Sequence, residues 1–288
     1  MGHGSGGHGW LYVPPRYALI HKKGHGKLDA PPSPAKAGCG MKPIFPILTL
    51  TVVAIAFAGS VSAAVQTQNK LVVKSNRELD VNFLLYLPKE HAAQPKKKWP
   101  LIMFLHGAGE RGDNLDRVKV HGPPKLVEQG KAMEFIIVSP QCPRETIWND
   151  ELLITLLDDV VKRYHADETR LYLTGLSMGG YGTWSLGLTH CDRFAAIAPI
   201  CGGGDFIKAY NAGGAKGKSL RTLGIWAFHG AKDTVVPLAE SERMVTSIKK
   251  FGHPGPKLTV YPEARHDSWT KTYANPELYK WFLQHQRK

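Results

Sequence analysis

Arg170-Leu171-Tyr172-Leu173-Thr174-Gly175-Leu176-Ser177-Met178-Gly179-Gly180-Tyr181 reads as an apolar strand, an abrupt turn and the start of a helix. The turn carries one serine between two glycines, Gly175-Leu176-Ser177-Met178-Gly179, the G-x-S-x-G spacing of a nucleophile elbow. The spacing has a steric reason. A serine at the tip of so sharp a strand-to-helix turn needs a strained backbone, and side chains two residues either way would strike the neighbouring strand and helix. The amide of Met178, in the first turn of the helix, then points toward charge developing on a substrate oxygen.

Outward from this stretch, strand and helix signals alternate without repeats or a Pro/Ser linker, so residues 65–288 are expected to form one α/β domain. Lys70–Lys74 and Asp80–Leu87 read as edge strands. Leu101–Leu105, Phe135–Val138, Leu171–Leu173, Ala195–Ile200, Ile225–Phe228 and Leu258–Tyr261 are continuous apolar runs, the pattern of strands covered on both faces. Leu152, Leu153, Leu156, Leu157, Val160, Val161 and Tyr164 form a helical stripe, and Pro237–Lys250 and Pro276–Gln286 read as further amphipathic helices. The expected architecture is a mostly parallel sheet flanked by helices. About two dozen residues separate the runs ending at Ile200 and starting at Ile225, too few for a large cap domain.

Such a sheet works at the carboxyl ends of its strands. There, Leu105 leads into His106-Gly107-Ala108-Gly109-Glu110-Arg111-Gly112, whose small residues let backbone amides approach a ligand. Phe228 leads into His229-Gly230-Ala231-Lys232-Asp233, and Tyr261 into Pro262-Glu263-Ala264-Arg265-His266-Asp267-Ser268-Trp269. Serine, aspartate and histidine therefore follow in the order Ser177, Asp233, His266, each after its own strand. Asp205 is the alternative acid, and Asp267 reads as a solvated loop residue. His106 and His229 read as structural histidines. Trp148 and Trp269, expected in loops at the same end, are candidate walls for an aromatic or sugar group, with ordinary packing as the competing reading.

From about Leu71 onward the chain resembles secreted α/β-hydrolase esterases related to dienelactone hydrolases, feruloyl and acetylxylan esterases, polyhydroxyalkanoate depolymerases and the prolyl oligopeptidase catalytic domain. The stretches that carry the likeness are Leu105–Gly112, Gly175–Gly180, His229–Asp233 and Arg265–Asp267. The resemblance implies an α/β-hydrolase fold without cofactor or metal, Ser177 as nucleophile, His266 as base, Asp233 as its orienter, and oxyanion donors at the amides of Ala108 and Met178. Arg265 departs from the glycine common before the histidine in such proteins, so the entrance is expected to be narrower or to carry an anion contact. The expected activity is ester hydrolysis through an acyl-enzyme, on small or polysaccharide-linked esters. The alternatives are a prolyl oligopeptidase-type peptidase, which usually carries a propeller this chain is too short to encode, and a non-catalytic binding protein.

Of the 288 residues, 43% are hydrophobic and 21% charged, with a net charge of +13. The basic residues are scattered and no nucleic-acid motif accompanies them, which argues against a nucleic-acid partner. Residues 1–40, rich in Gly, His and Pro, are expected to be disordered and to lie upstream of the true start; His3, His8, His21 and His25 are too loosely spaced to argue for a metal. Met41-Lys42, an apolar run from Pro43 to Ala58 and the small residues up to Ala64 are expected to make a secretory signal cleaved after Ala64, the rival being an uncleaved signal anchor, since the run is long enough to span a bilayer. The mature protein is then expected to be secreted or periplasmic, with no stable membrane insertion after cleavage. Outside that leader, Cys142, Cys191 and Cys201 allow at most one disulfide, and no metal-ligand spacing occurs.

Overall fold

The computed structural model describes residues 80–287. Seven strands form one sheet: β1 (Phe83–Tyr86), β2 (Trp99–Leu105), β3 (Ile136–Pro140), β4 (Ala166–Leu176), β5 (Ala196–Ile200), β6 (Gly224–Gly230) and β7 (Lys257–Tyr261). Their order is β1-β3-β2-β4-β5-β6-β7, with β1 antiparallel to β3 and every other pairing parallel. Eight helices follow the strands: α1 (Gly122–Glu128), α2 (Asp150–Arg163), α3 (Met178–Thr189), α4 (Phe206–Gly214), α5 (Gly217–Thr222), α6 (Ala239–Lys250), α7 (Trp269–Ala274) and α8 (Pro276–Leu283).

Alternation along β2 builds the two layers. Leu101, Met103 and Leu105 pack with α2, α3, α4 and α6 on one face, while Ile102 and Phe104 pack with α1, α7 and α8 on the other. Strands buried this way need apolar residues at every position, which is why β2, β3 and β5 appear in the sequence as unbroken runs. β7 departs from that expectation. It is an edge strand with only β6 beside it, so Lys257 and Val260 are exposed. The Lys70–Lys74 run lies outside the described residues, as do the leader and the N-terminal tail.

Helix boundaries follow local chemistry. The Asn149 side chain caps α2 by accepting from the amides of Glu151 and Leu152, with acids in the first turn and Lys162 and Arg163 in the last. Leu153, Leu156, Leu157, Val160 and Val161 bury its stripe, each contributing about 2 kcal/mol relative to exposure. Asn275 caps α8 and Pro276 opens it, and the helix ends at Leu283, three residues short of the sequence expectation. Between β5 and β6 the chain holds only the short helices α4 and α5, so no large cap domain is inserted there. Among the described residues no helix is long and apolar enough to cross a membrane.

Candidate active site

β4 ends at Leu176 and α3 starts at Met178, so Ser177 alone makes the turn, at φ 52° and ψ −118°. A positive φ is strained for a non-glycine residue, and the strain is held by the packing around it. A Cβ on Gly179 would collide with the Leu105 carbonyl, and one on Gly175 with the Gly179 carbonyl. The Ser177 amide donates to Ile200 O at 3.0 Å, tying the turn to the end of β5.

His266 and Asp233 come to the serine from the ends of β7 and β6. The Ser177 hydroxyl lies 2.9 Å from His266 Nε2, and His266 Nδ1 lies 2.8 Å from Asp233 Oδ2. Asp233 Oδ1 accepts from the amides of Val235 and Val236, both at 2.9 Å. Burial of the carboxyl opposes its ionisation, but the bonds from His266 and these two amides prevail and hold its pKa below the usual value. The alternative acids stand elsewhere: Asp205 caps α4 by accepting from Ile207 N, and Asp267 is exposed. Arg265 is exposed as well.

The other two histidines at strand ends have both ring nitrogens engaged inside the protein. His106 is buried, donates from Nδ1 to Gly107 O at 2.6 Å and accepts from Cys142 N at 3.0 Å, which joins the ends of β2 and β3. Burial lowers its pKa to about 4, so it is neutral at physiological pH. His229 lies between Ser241 Oγ and Val236 O, with Nε2 also 3.3 Å from Asp233 Oδ2.

Sequence reasoning overlooked the bracing of the loop after β2. Glu110 accepts the Gly107 amide at 2.9 Å, Arg111 donates to Ala108 O, and Arg117 donates to Gly109 O. From β3, the Gln141 amide donates to the carbonyls of Glu110 and Asn114. The only signal for this role was charge among glycines in Gly109-Glu110-Arg111-Gly112. Ala108 opens a 3₁₀ turn there, and a Cβ on neighbouring Gly107 would stand 3.6 Å from that of Ser177.

Trp148 lies in the loop before α2, edge-on to His106 and donating to His106 O at 3.2 Å. Trp269 does not sit in a loop. It opens α7, edge-on to the His266 ring at 5.2 Å, and borders a cavity of about 210 Å³ between α1 and α7. Cys142, Cys191 and Cys201 are all buried free thiols. Cys201 Sγ, Asp233 and His266 offer metal-ligand atoms within 4.8 Å of one another. Burial, however, pushes the Cys201 thiol up to about 12, so it is protonated at neutral pH and a poor ligand.

A strand-turn-helix serine in a mostly parallel sheet, with acid and histidine on the next loops, decides the architecture. The chain has the α/β-hydrolase fold. A solved thermostable esterase superposes on it with a TM-score of 0.60 at 30% identity, covering 73% of this chain and 60% of that one. A ferulic acid esterase structure has a TM-score of 0.55 at 21% identity, covering 70% and 90%, a likeness of fold. By sequence, the chain is 26% identical over 196 residues to a bifunctional acetylxylan esterase/xylanase XynS20E of Neocallimastix patriciarum. The match covers 63% of this chain and 26% of that protein, so the chain spans about a quarter of that relative's length. It is 23% identical over 246 residues to a probable acetylxylan esterase A of Aspergillus flavus, covering 69% and 76%. No family model matches the chain.

Proposed function

We propose that the protein is a serine carboxylic-ester hydrolase. The observation that carries this reading is the His266 ring, which reaches the Ser177 hydroxyl with one nitrogen and the buried Asp233 carboxylate with the other. Named relatives that are esterases support the same reaction class. Ser177 Oγ attacks the ester carbonyl as His266 Nε2 takes its proton. The amides of Ala108 and Met178 are assigned to the oxyanion, because the Gly107 amide is already engaged by Glu110. The tetrahedral intermediate collapses as His266 returns the proton to the leaving alcohol. Water then attacks the acyl-serine by the same route, releasing the acid and restoring Ser177. Asp233 keeps the imidazole in the tautomer with hydrogen on Nδ1 and stabilises its cation.

The uncapped strand ends suit esters carried on a polymer, polysaccharide among them, and the leader at residues 41–64 suits export. A fluorophosphonate probe together with p-nitrophenyl acetate tests the chemistry: labelling and turnover are expected, both lost in Ser177→Ala. Turnover retained in that variant would sink the assignment. Mass spectrometry of the exported protein is expected to find Val65 at its N-terminus; a chain still carrying the leader would overturn the export reading.

A further inference from the structure

Two hydrogen bonds hold the His266 ring, and both go to groups that take part in the proposed reaction. Nδ1 lies 2.8 Å from Asp233 Oδ2, and Nε2 lies 2.9 Å from Ser177 Oγ. Bonds at two ring nitrogens fix the line between Asp233 and Ser177 but leave the ring free to turn about it. The plane of the ring needs a further contact. Trp269 supplies one, edge-on to the imidazole with ring centroids 5.2 Å apart and planes at 87°. Perpendicular rings attract one another at that separation.

The chain returns Trp269 to His266 by coiling at once. Thr270 N donates to Asp267 O at 2.9 Å and Thr272 N to Ser268 O at 3.1 Å, so helical bonding begins directly after the histidine. The indole also meets the ring of His121, the residue before α1, at a centroid distance of 5.4 Å. His121 Nε2 lies 3.9 Å from Glu110 Oε1, and Glu110 Oε2 accepts the Gly107 amide. Trp269 therefore stands between the histidine and the braced loop after β2. Its indole N–H is buried without a hydrogen-bond partner among the described residues, whereas that of Trp148 donates to His106 O. A buried N–H left unpaired is costly, so the packing of the Trp269 ring has to outweigh that cost.

The two halves of ester hydrolysis load this arrangement differently. Before acylation, Asp233 and Ser177 hold the ring at both nitrogens. In the acyl-enzyme Ser177 Oγ is the ester oxygen and has no proton to donate, so Nε2 loses its partner. The ring then keeps Asp233 and Trp269. Nε2 must now accept a proton from a water whose oxygen bonds to the acyl carbon. When the resulting intermediate breaks its C–Oγ bond, that proton passes from Nε2 to Ser177 Oγ and the acid leaves.

We propose that Trp269 is a positioning residue for His266, holding Nε2 in line while Ser177 carries the acyl group. It thereby serves hydrolysis of the acyl-enzyme more than its formation. The inference rests on the esterase reading above. It gives Trp269 a part in the second half-reaction, in place of the substrate wall that its place in the sequence suggested.

The test separates the two half-reactions with p-nitrophenyl acetate, for which kcat/KM reports the steps through acylation and kcat includes deacylation. Active sites are counted by fluorophosphonate labelling, so misfolded protein drops out of both constants. Trp269→Leu is expected to lower kcat by about tenfold while kcat/KM stays within about threefold of wild type, so that KM falls too. Stopped flow should then show a burst of about one p-nitrophenolate per labelled site. Trp269→Phe keeps an aromatic ring beside the imidazole and should recover kcat to within about threefold. The role is overturned if kcat and kcat/KM fall together in Trp269→Leu, or if Trp269→Phe is no better than Trp269→Leu. A rise in KM with kcat unchanged overturns it as well and makes Trp269 a substrate wall. In each of these cases a wild type that labels at Ser177 and turns over ester leaves the esterase reading standing. If the wild type turns over no ester and Ser177 does not label, both fall.

Discussion

The loops after β2 and after β7 both face Ser177, and they are held in opposite ways. Residues 106–117 are tied at their carbonyls and amides by His106, Glu110, Arg111, Arg117 and Gln141, bonds that do not involve Ser177, His266 or Asp233. The hydrogen bonds of the His266 ring, by contrast, go to Ser177 and Asp233 alone. The first loop suits fixed dipoles, which stabilise charge without reorganising during reaction. In the proposed mechanism the second holds a ring that gains and loses a proton, so its bonds are the bonds of that reaction. One region is braced for geometry, the other for chemistry.

That contrast can be broken by experiment. Ser177→Ala is expected to lower kcat on p-nitrophenyl acetate by on the order of 10⁵–10⁶, leaving the thermal midpoint nearly unchanged. A large drop in midpoint would show that the serine serves the fold as well. Asp233→Asn should reduce kcat by about 10³–10⁴, because an amide favours the wrong imidazole tautomer. Activity within tenfold of wild type would return the acid role to another residue.

The braced side is probed through stability. His106 is neutral when folded, with a pKa of about 4 against 6.5 for the free side chain. Between those values the unfolded chain binds a proton that the native protein does not, so stability falls as pH drops from about 6.5 toward 4. The full contribution is on the order of 3 kcal/mol. Denaturant titrations at pH 7 and pH 4.5 should show a smaller acid loss in His106→Asn than in the wild type; equal losses would remove His106 from the account. Asp233 titrates lower still. Its depressed pKa adds stability that is complete above the ordinary carboxylate range and vanishes only as pH falls below it.

The smallest effect is expected at Glu110. Glu110→Ala frees the Gly107 amide and lets the loop shift, without deleting an oxyanion donor. Loss of a donor costs about 10²–10³, so a fall of about tenfold in kcat with little change in KM is expected. A change confined to KM would place Glu110 in binding instead.

Much of this protein is legible in its sequence. The apolar runs at 101–105 and 171–173 became central strands because a doubly covered strand must be apolar throughout, and the glycines around Ser177 announced the turn that crowding demands. β7 was misread as buried, because an apolar run does not say whether the strand has one neighbour or two. Trp269 was expected in a loop and starts a helix.

The sequence by itself determined the local elements, the chain order of serine, acid and histidine, and the absence of room for a cap between β5 and β6. The elements depend on residues within a turn or a strand of one another, and the order and spacing are read directly along the chain. Only the tertiary structure decided that His266 bonds Asp233 while Asp205 caps a helix, that charged residues brace the loop after β2, and that Ser185, Asp150 and Lys208 meet beside a cavity along α3. Those contacts join residues from 2 to 58 positions apart with no periodicity to announce them. Sheet order and helix packing bring them together, and no local pattern encodes either.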